Sequence, residues 1–68
     1  MNILQALKKS TNFVEQVTNQ SLEESQIEAE HIFMFVLQVN RSKLYEQFNS
    51  NLSNYNNKKI EEILELRK

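Results

Sequence analysis

The chain has neither a glycine nor a proline in 68 residues. Average usage would supply about five of the first and about three of the second. Turns between strands draw heavily on both, so their absence argues against a sheet and for an all-α fold. It also removes every chemistry that needs a glycine cradle: a phosphate loop, a dinucleotide fingerprint or a nucleophile elbow. Left-handed backbone at helix ends must then fall to other residues, of which asparagine is the most tolerant. Asn19, Asn40, Asn49 and Asn51 stand where the apolar periodicity stops, and are the expected terminators.

The length suits one domain with one core, at a size where folding buries only about 60% of the unfolded surface. Cysteine is absent, so there is no disulfide and no thiolate metal site, which fits a reducing compartment. The net charge is −1 with the signs interspersed, unlike the clustered basic face that duplex DNA requires. The longest apolar run, residues 32–37, falls far short of the roughly 20 residues that span a bilayer. At the N-terminus the cations follow the apolar residues, the reverse of a signal peptide. These features predict a soluble, cytoplasmic protein.

Helical periodicity covers most of the chain. A first helix is expected over residues 2–19, with Ile3, Ala6, Leu7, Phe13, Val14 and Val17 inward and a kink or break near Ser10. Leu22, in the connection that follows, is expected to tuck inward. The second helix starts near Ser25, which with Glu28 has capping-box spacing. Ile32 to Leu37, with Val39, are apolar and surround most of the axis, so this helix should be the spine of the domain, covered on several sides. Asn40 then caps a short helix over residues 41–48 that buries Leu44, Tyr45 and Phe48. Ser53 caps a last helix carrying Tyr55, Ile60, Ile63 and Leu64 inward. Lys58 with Glu62, and Glu65 with Lys68, have the spacing of exposed helix pairs. The expected architecture is a small bundle of four helices, or five if the first is broken.

Few residues carry chemistry. Glu28 and His31 have the Glu-x-x-His spacing of carboxylate-bridged metal bundles, but such a site needs two copies and further inward glutamates. A metal-binding oligomer is therefore a distant alternative, and capping is the better role for Glu28. Glu30 stands out as an acid among apolar neighbours. His31 with Ser25 or Ser42 has nothing to orient the imidazole and no oxyanion cradle, so no catalytic residue is expected. The aromatics Phe33, Phe35, Tyr45 and Phe48 lie at core spacing, not interleaved with cations as a nucleic-acid stacking platform would be. Lys8, Lys9, Arg41 and Lys43 are the cations near turns and polar faces, and form the candidate partner-binding rim. A free-standing helical adaptor that binds through an apolar groove is one functional expectation.

Three pieces resemble the N-terminal domain of the release-factor glutamine methyltransferases, the HemK or PrmC family. Ile27-Glu28-Ala29-Glu30 followed by Ile32-Phe33 is similar to the family's Leu-Asp-Ala-Glu-Leu-Leu-Leu. The segment from Val36 to Tyr45, Val-Leu-Gln-Val-Asn-Arg-Ser-Lys-Leu-Tyr, is similar to its Val-Leu-Gly-Leu-Ser-Arg-x-x-Leu. Leu52-Ser53 and the helix ending Leu66-Arg67-Lys68 resemble its last helix. The departures are Glu28 for Asp, His31 and Met34 for common Leu and Ala, and Gln38 for Gly. The likeness runs from Leu7 to Lys68. It implies a helical substrate-recognition domain, silent in catalysis, whose partners are a peptide chain release factor and a catalytic domain. That catalytic domain would bind S-adenosylmethionine and methylate the glutamine of the Gly-Gly-Gln motif. The family's cofactor loop and Asn-Pro-Pro-Tyr motif require Gly and Pro, so no cofactor-binding residue is expected in this chain.

Overall fold

The computed structural model describes residues 1–67. It contains four helices: α1 (Ile3–Thr18), α2 (Leu22–Leu37), α3 (Arg41–Glu46) and α4 (Asn54–Glu65). Helix α2 packs on each of the other three, and α1 also packs on α4. Phe33 and Ala29 of α2 lie at the centre, enclosed by Ile3, Ala6, Leu7 and Val14 of α1, Leu44 of α3, and Ile60 and Leu64 of α4. The expected all-α bundle with α2 as its spine is the observed fold.

The start of α1 shows a complete accounting of backbone donors. Gln5 N–H donates to the Asn2 side chain at 2.8 Å, and Asn2 N–H donates to the Gln5 side chain at 3.0 Å. The two donors between them are met from a distance. Ile3 N–H donates to the carbonyl of Ser50 at 2.9 Å and Leu4 N–H to that of Phe48 at 3.1 Å, while Leu52 N–H donates back to the Met1 carbonyl at 3.1 Å. All four groups that a helix start leaves open therefore have partners. The loop after α3 is in effect half of the cap of α1.

Helix α1 does not break at Ser10. Ser10 and Thr11 are both buried, and the Thr11 hydroxyl donates to the Leu7 carbonyl at 2.8 Å, which satisfies it without leaving the helix. The helix ends at Asn19, whose φ of 60° is the left-handed stop expected there. Val17, expected inward, is exposed.

Helix α2 begins one turn earlier than its sequence suggested. Its cap is Ser21, which accepts from Glu24 N–H at 3.2 Å. Ser25 sits inside the helix, fully buried. Ser21 and Ser25 each precede a glutamate by three residues, so the spacing fits both. The earlier start also brings Glu23 and Glu24 into the first turn, where the helix dipole favours acids. Leu22, at the first helical position, faces solvent and does not tuck inward.

Helix α2 stops at Gln38, with φ 58° and ψ 48°. Asn40 takes extended geometry instead, because it caps α3 by accepting from Lys43 N–H at 2.8 Å. One residue cannot serve both conformations, so the left-handed turn falls two residues earlier. Asn49 and Asn51 are not left-handed either; Asn19 and Gln38 are the positive-φ residues among those described. Ser53 caps α4 as expected, accepting from Asn56 N–H at 3.1 Å.

The apolar girdle of α2 is not fully covered. Phe35 is 76% exposed and Ile27 is also outside. The third helix stops at Glu46, short of the expected residue 48: on α3 Leu44 is buried and Tyr45 turns outward, its ring 5.1 Å from that of Phe48, which is half-buried in the loop that follows. On α4 Tyr55 is exposed, with the Lys59 ammonium 5.1 Å above its ring. Among the described residues the ion pairs are Arg41–Glu30, Lys43–Glu46 and Arg67–Glu28, so the expected Lys58–Glu62 pair does not form. The Glu65–Lys68 pair lies outside the described residues.

Candidate partner-binding surface

Glu30 is 3% exposed. A carboxylate this deep must be compensated by charge and hydrogen bonds. Its Oε1 accepts from Arg41 Nε at 3.0 Å, and its Oε2 accepts from Gln26 Nε2 at 3.2 Å and from the Tyr45 hydroxyl at 3.1 Å. The fold explains the convergence. Gln26 lies one turn before Glu30 on α2, and Arg41 and Tyr45 lie one turn apart on α3. The left-handed turn at Gln38 reverses the chain so that this face of α3 lands on Glu30.

The arrangement acts on its outer members. Arg41 donates one hydrogen bond, from Nε, to Glu30 while its side chain stays 45% exposed, which leaves the rest of the guanidinium open to solvent. The Tyr45 phenol is raised above its ordinary value of 10.0 by partial desolvation, by its hydrogen bond to Glu30 and by the Glu30 charge, with Arg41 opposing.

Two shallow grooves meet at this cluster. One is lined by Ile27, His31 and Arg41, the other by Leu7, Lys8, Leu22 and Phe48, and Gln26 and Tyr45 border both. The combined surface presents an Arg, a Tyr and exposed aliphatic side chains. Arg and Tyr, with Trp, are the residue types enriched where binding energy concentrates at protein interfaces, and the aliphatic side chains add apolar area around them.

Of the four cations in the expected rim, two come together here, Lys8 and Arg41, on either side of Tyr45. Lys9 turns to a different groove, between α1 and α4. Lys43 pairs with Glu46 at 3.5 Å on the outside of α3. Sequence reasoning flagged Glu30 but missed Tyr45 and Leu22 as surface. A signal was present for Tyr45: it lies one turn from Arg41, on a helix too short to bury more than one stripe.

The capping residues divide similarly. Asn40 and Ser53 cap helices; Ser25 and Glu28 do not. Both carboxylate oxygens of Glu28 accept from the Arg67 guanidinium, Oε1 from Nη2 at 2.7 Å, which ties α2 to the end of α4. Glu28 is thus committed to an ion pair and not to a site with His31. Among the described residues no group of three acidic or histidine side chains is placed to hold a metal ion. Ser25 is buried within a helix, out of reach as a nucleophile. No helix of the described residues is long and apolar enough to cross a membrane. The chain matches no protein-family model, no curated protein and no solved structure.

Proposed function

We propose that this chain is a substrate-recognition domain of a protein-glutamine methyltransferase of the release-factor type, and that it carries out no reaction itself. The observation that carries the reading is the Glu30–Arg41 ion pair at 3.0 Å. Glu30 and Arg41 belong to two separate pieces of the resemblance, and both are identical to the family pattern there. A buried acid and the base that neutralises it are a natural pair for a shared fold to retain.

Other coincidences support it. Gln38, standing where the family has Gly, adopts a left-handed conformation, the one that favours Gly. Asn40, standing for Ser, is an N-cap, a role those two residues share. Ala29, common to both, is fully buried at the helix contact.

The division of labour follows from physical chemistry. Methyl transfer needs the acceptor amide aligned with the donor carbon, and binding energy from remote surface lowers the cost of that alignment. S-adenosylmethionine and the reacting groups belong to a catalytic domain. This domain contributes the surface around Tyr45, with Lys8, Leu22 and Arg41 as the contacts.

Calorimetric titration of the folded domain with a release-factor domain bearing the Gly-Gly-Gln loop tests the reading. Saturable binding is expected, weakened about tenfold or more by Leu22→Ser or Lys8→Glu. Both residues are exposed, so the variants keep the fold. No heat of binding at millimolar concentration rejects the recognition role. A helical adaptor without a catalytic partner is the second reading, favoured by the separate exposed apolar face at Phe35 and Leu66.

A further inference from the structure

Away from the Tyr45 surface, a groove of about 940 Å³ runs between the C-terminal halves of α2 and α4. Its apolar lining includes Phe35, Val39, Ile63 and Leu66, and it also includes Lys59 and Glu62. Phe35 is 76% exposed and Leu66 is 85% exposed. A large aromatic and a leucine exposed along one groove mark an interaction surface more than a solvated one.

We infer that this groove is occupied by the same groove of a second copy of the chain, in a two-fold dimer. The argument is electrostatic. A two-fold interface brings a patch against itself, so its charges must complement their own image. Lys59 and Glu62 have opposite sign and stand nearly one turn apart on α4. When two α4 helices pack antiparallel about an axis midway between these residues, Lys59 of each copy, which rests over its own Tyr55 in the single chain, comes within reach of Glu62 of the other. The groove then carries no net charge, and the whole chain carries only −1, so like copies meet little repulsion. Phe35 of each copy enters the groove of its mate. The inference is independent of the release-factor reading, since it uses a different face.

Sedimentation equilibrium from micromolar to millimolar concentration tests it. The mass should rise from the 8.1 kDa of the monomer toward twice that value. Phe35→Ser should weaken the dimer about tenfold or more, as expected for a central aromatic anchor, with an unchanged helical circular-dichroism spectrum. Lys59→Glu alone and Glu62→Lys alone should each weaken it, because each places like charges opposite one another. An equimolar mixture of those two variants should recover a dimer containing one of each, since every facing pair is then opposite in sign. A monomer at every concentration overturns the inference. So does a dimer indifferent to Phe35→Ser, or a mixture no tighter than its components.

Discussion

At the scale of single residues, the two serines flanking the start of α2 show how position decides chemistry. Ser21 caps the helix; Ser25, one turn on, is buried with no hydrogen-bond partner for its hydroxyl. Removing a buried, unsatisfied hydroxyl relieves a cost, and Ala is the better helix former. Ser25→Ala should therefore raise stability, by about 0.5 to 1 kcal/mol in urea denaturation, while Ser21→Ala should lower it by about 1 kcal/mol. The opposite signs separate a cap from a core position that the Ser-x-x-Glu spacing leaves equivalent. Tyr45 offers a test by pH. Its folded-state pKa is raised, so the folded chain holds the phenolic proton more tightly than the unfolded chain. The stabilisation is complete below the ordinary value of 10.0 and is lost as pH rises through the higher folded value. The stability gap between the parent and Tyr45→Phe, measured by urea denaturation, should therefore shrink above that pH. A gap that widens there contradicts the assigned hydrogen bond. Glu30 was legible as an anomaly, an acid in an apolar run. Its partners Arg41 and Tyr45 were not, because they arrive from a helix whose direction depends on one backbone torsion.

That torsion belongs to the scale of elements. The joint between α2 and α3 is three residues, Gln38 to Asn40, and it sets where Arg41 and Tyr45 fall. A non-glycine residue pays a steric penalty in the left-handed region, while glycine adopts it freely. Gln38→Gly should raise stability by about 1 kcal/mol by thermal or chemical denaturation, with the Glu30–Arg41 contact intact. Element order and approximate ends were readable from periodicity and caps, as Asn19, Asn40 and Ser53 show. The misplaced stop had a definite cause: the rule that Asn takes left-handed turns competed with the rule that Asn caps the next helix, and at Asn40 the second prevailed. The late start assigned to α2 had another. The apolar run begins well after Ser21, and a first turn made of Leu22, Glu23 and Glu24 buries nothing.

For the molecule as a whole, the radius of gyration is 11.0 Å. A compact chain of this length is expected at about 11 Å, so the four helices are packed as closely as in a folded domain of this size. Stability should nonetheless be modest, about 3 to 10 kcal/mol at the usual yield per residue. Truncating a fully buried phenylalanine costs about 3 to 5 kcal/mol. Phe33→Ala should therefore consume much or all of the margin, seen as a low-temperature melt or an unfolded spectrum, whereas Phe35→Ala, compared at concentrations where the parent chain is monomeric, should leave the melt nearly unchanged. A single urea transition for the parent chain, with a slope of about 1 kcal/mol per molar, would accompany this behaviour. The all-helical outcome followed from the missing glycine and proline. The outward Phe35 did not, because an apolar girdle does not tell which sector the three neighbouring helices leave uncovered. One consequence concerns the order of events during synthesis. The amides of Ile3 and Leu4 wait for carbonyls at Ser50 and Phe48, which leave the ribosome more than forty residues later. Of these four helices, the earliest made is thus the one whose opening turn closes late, and a nascent chain halted before Phe48 should exchange those two amide hydrogens freely while the rest of α1 is already protected.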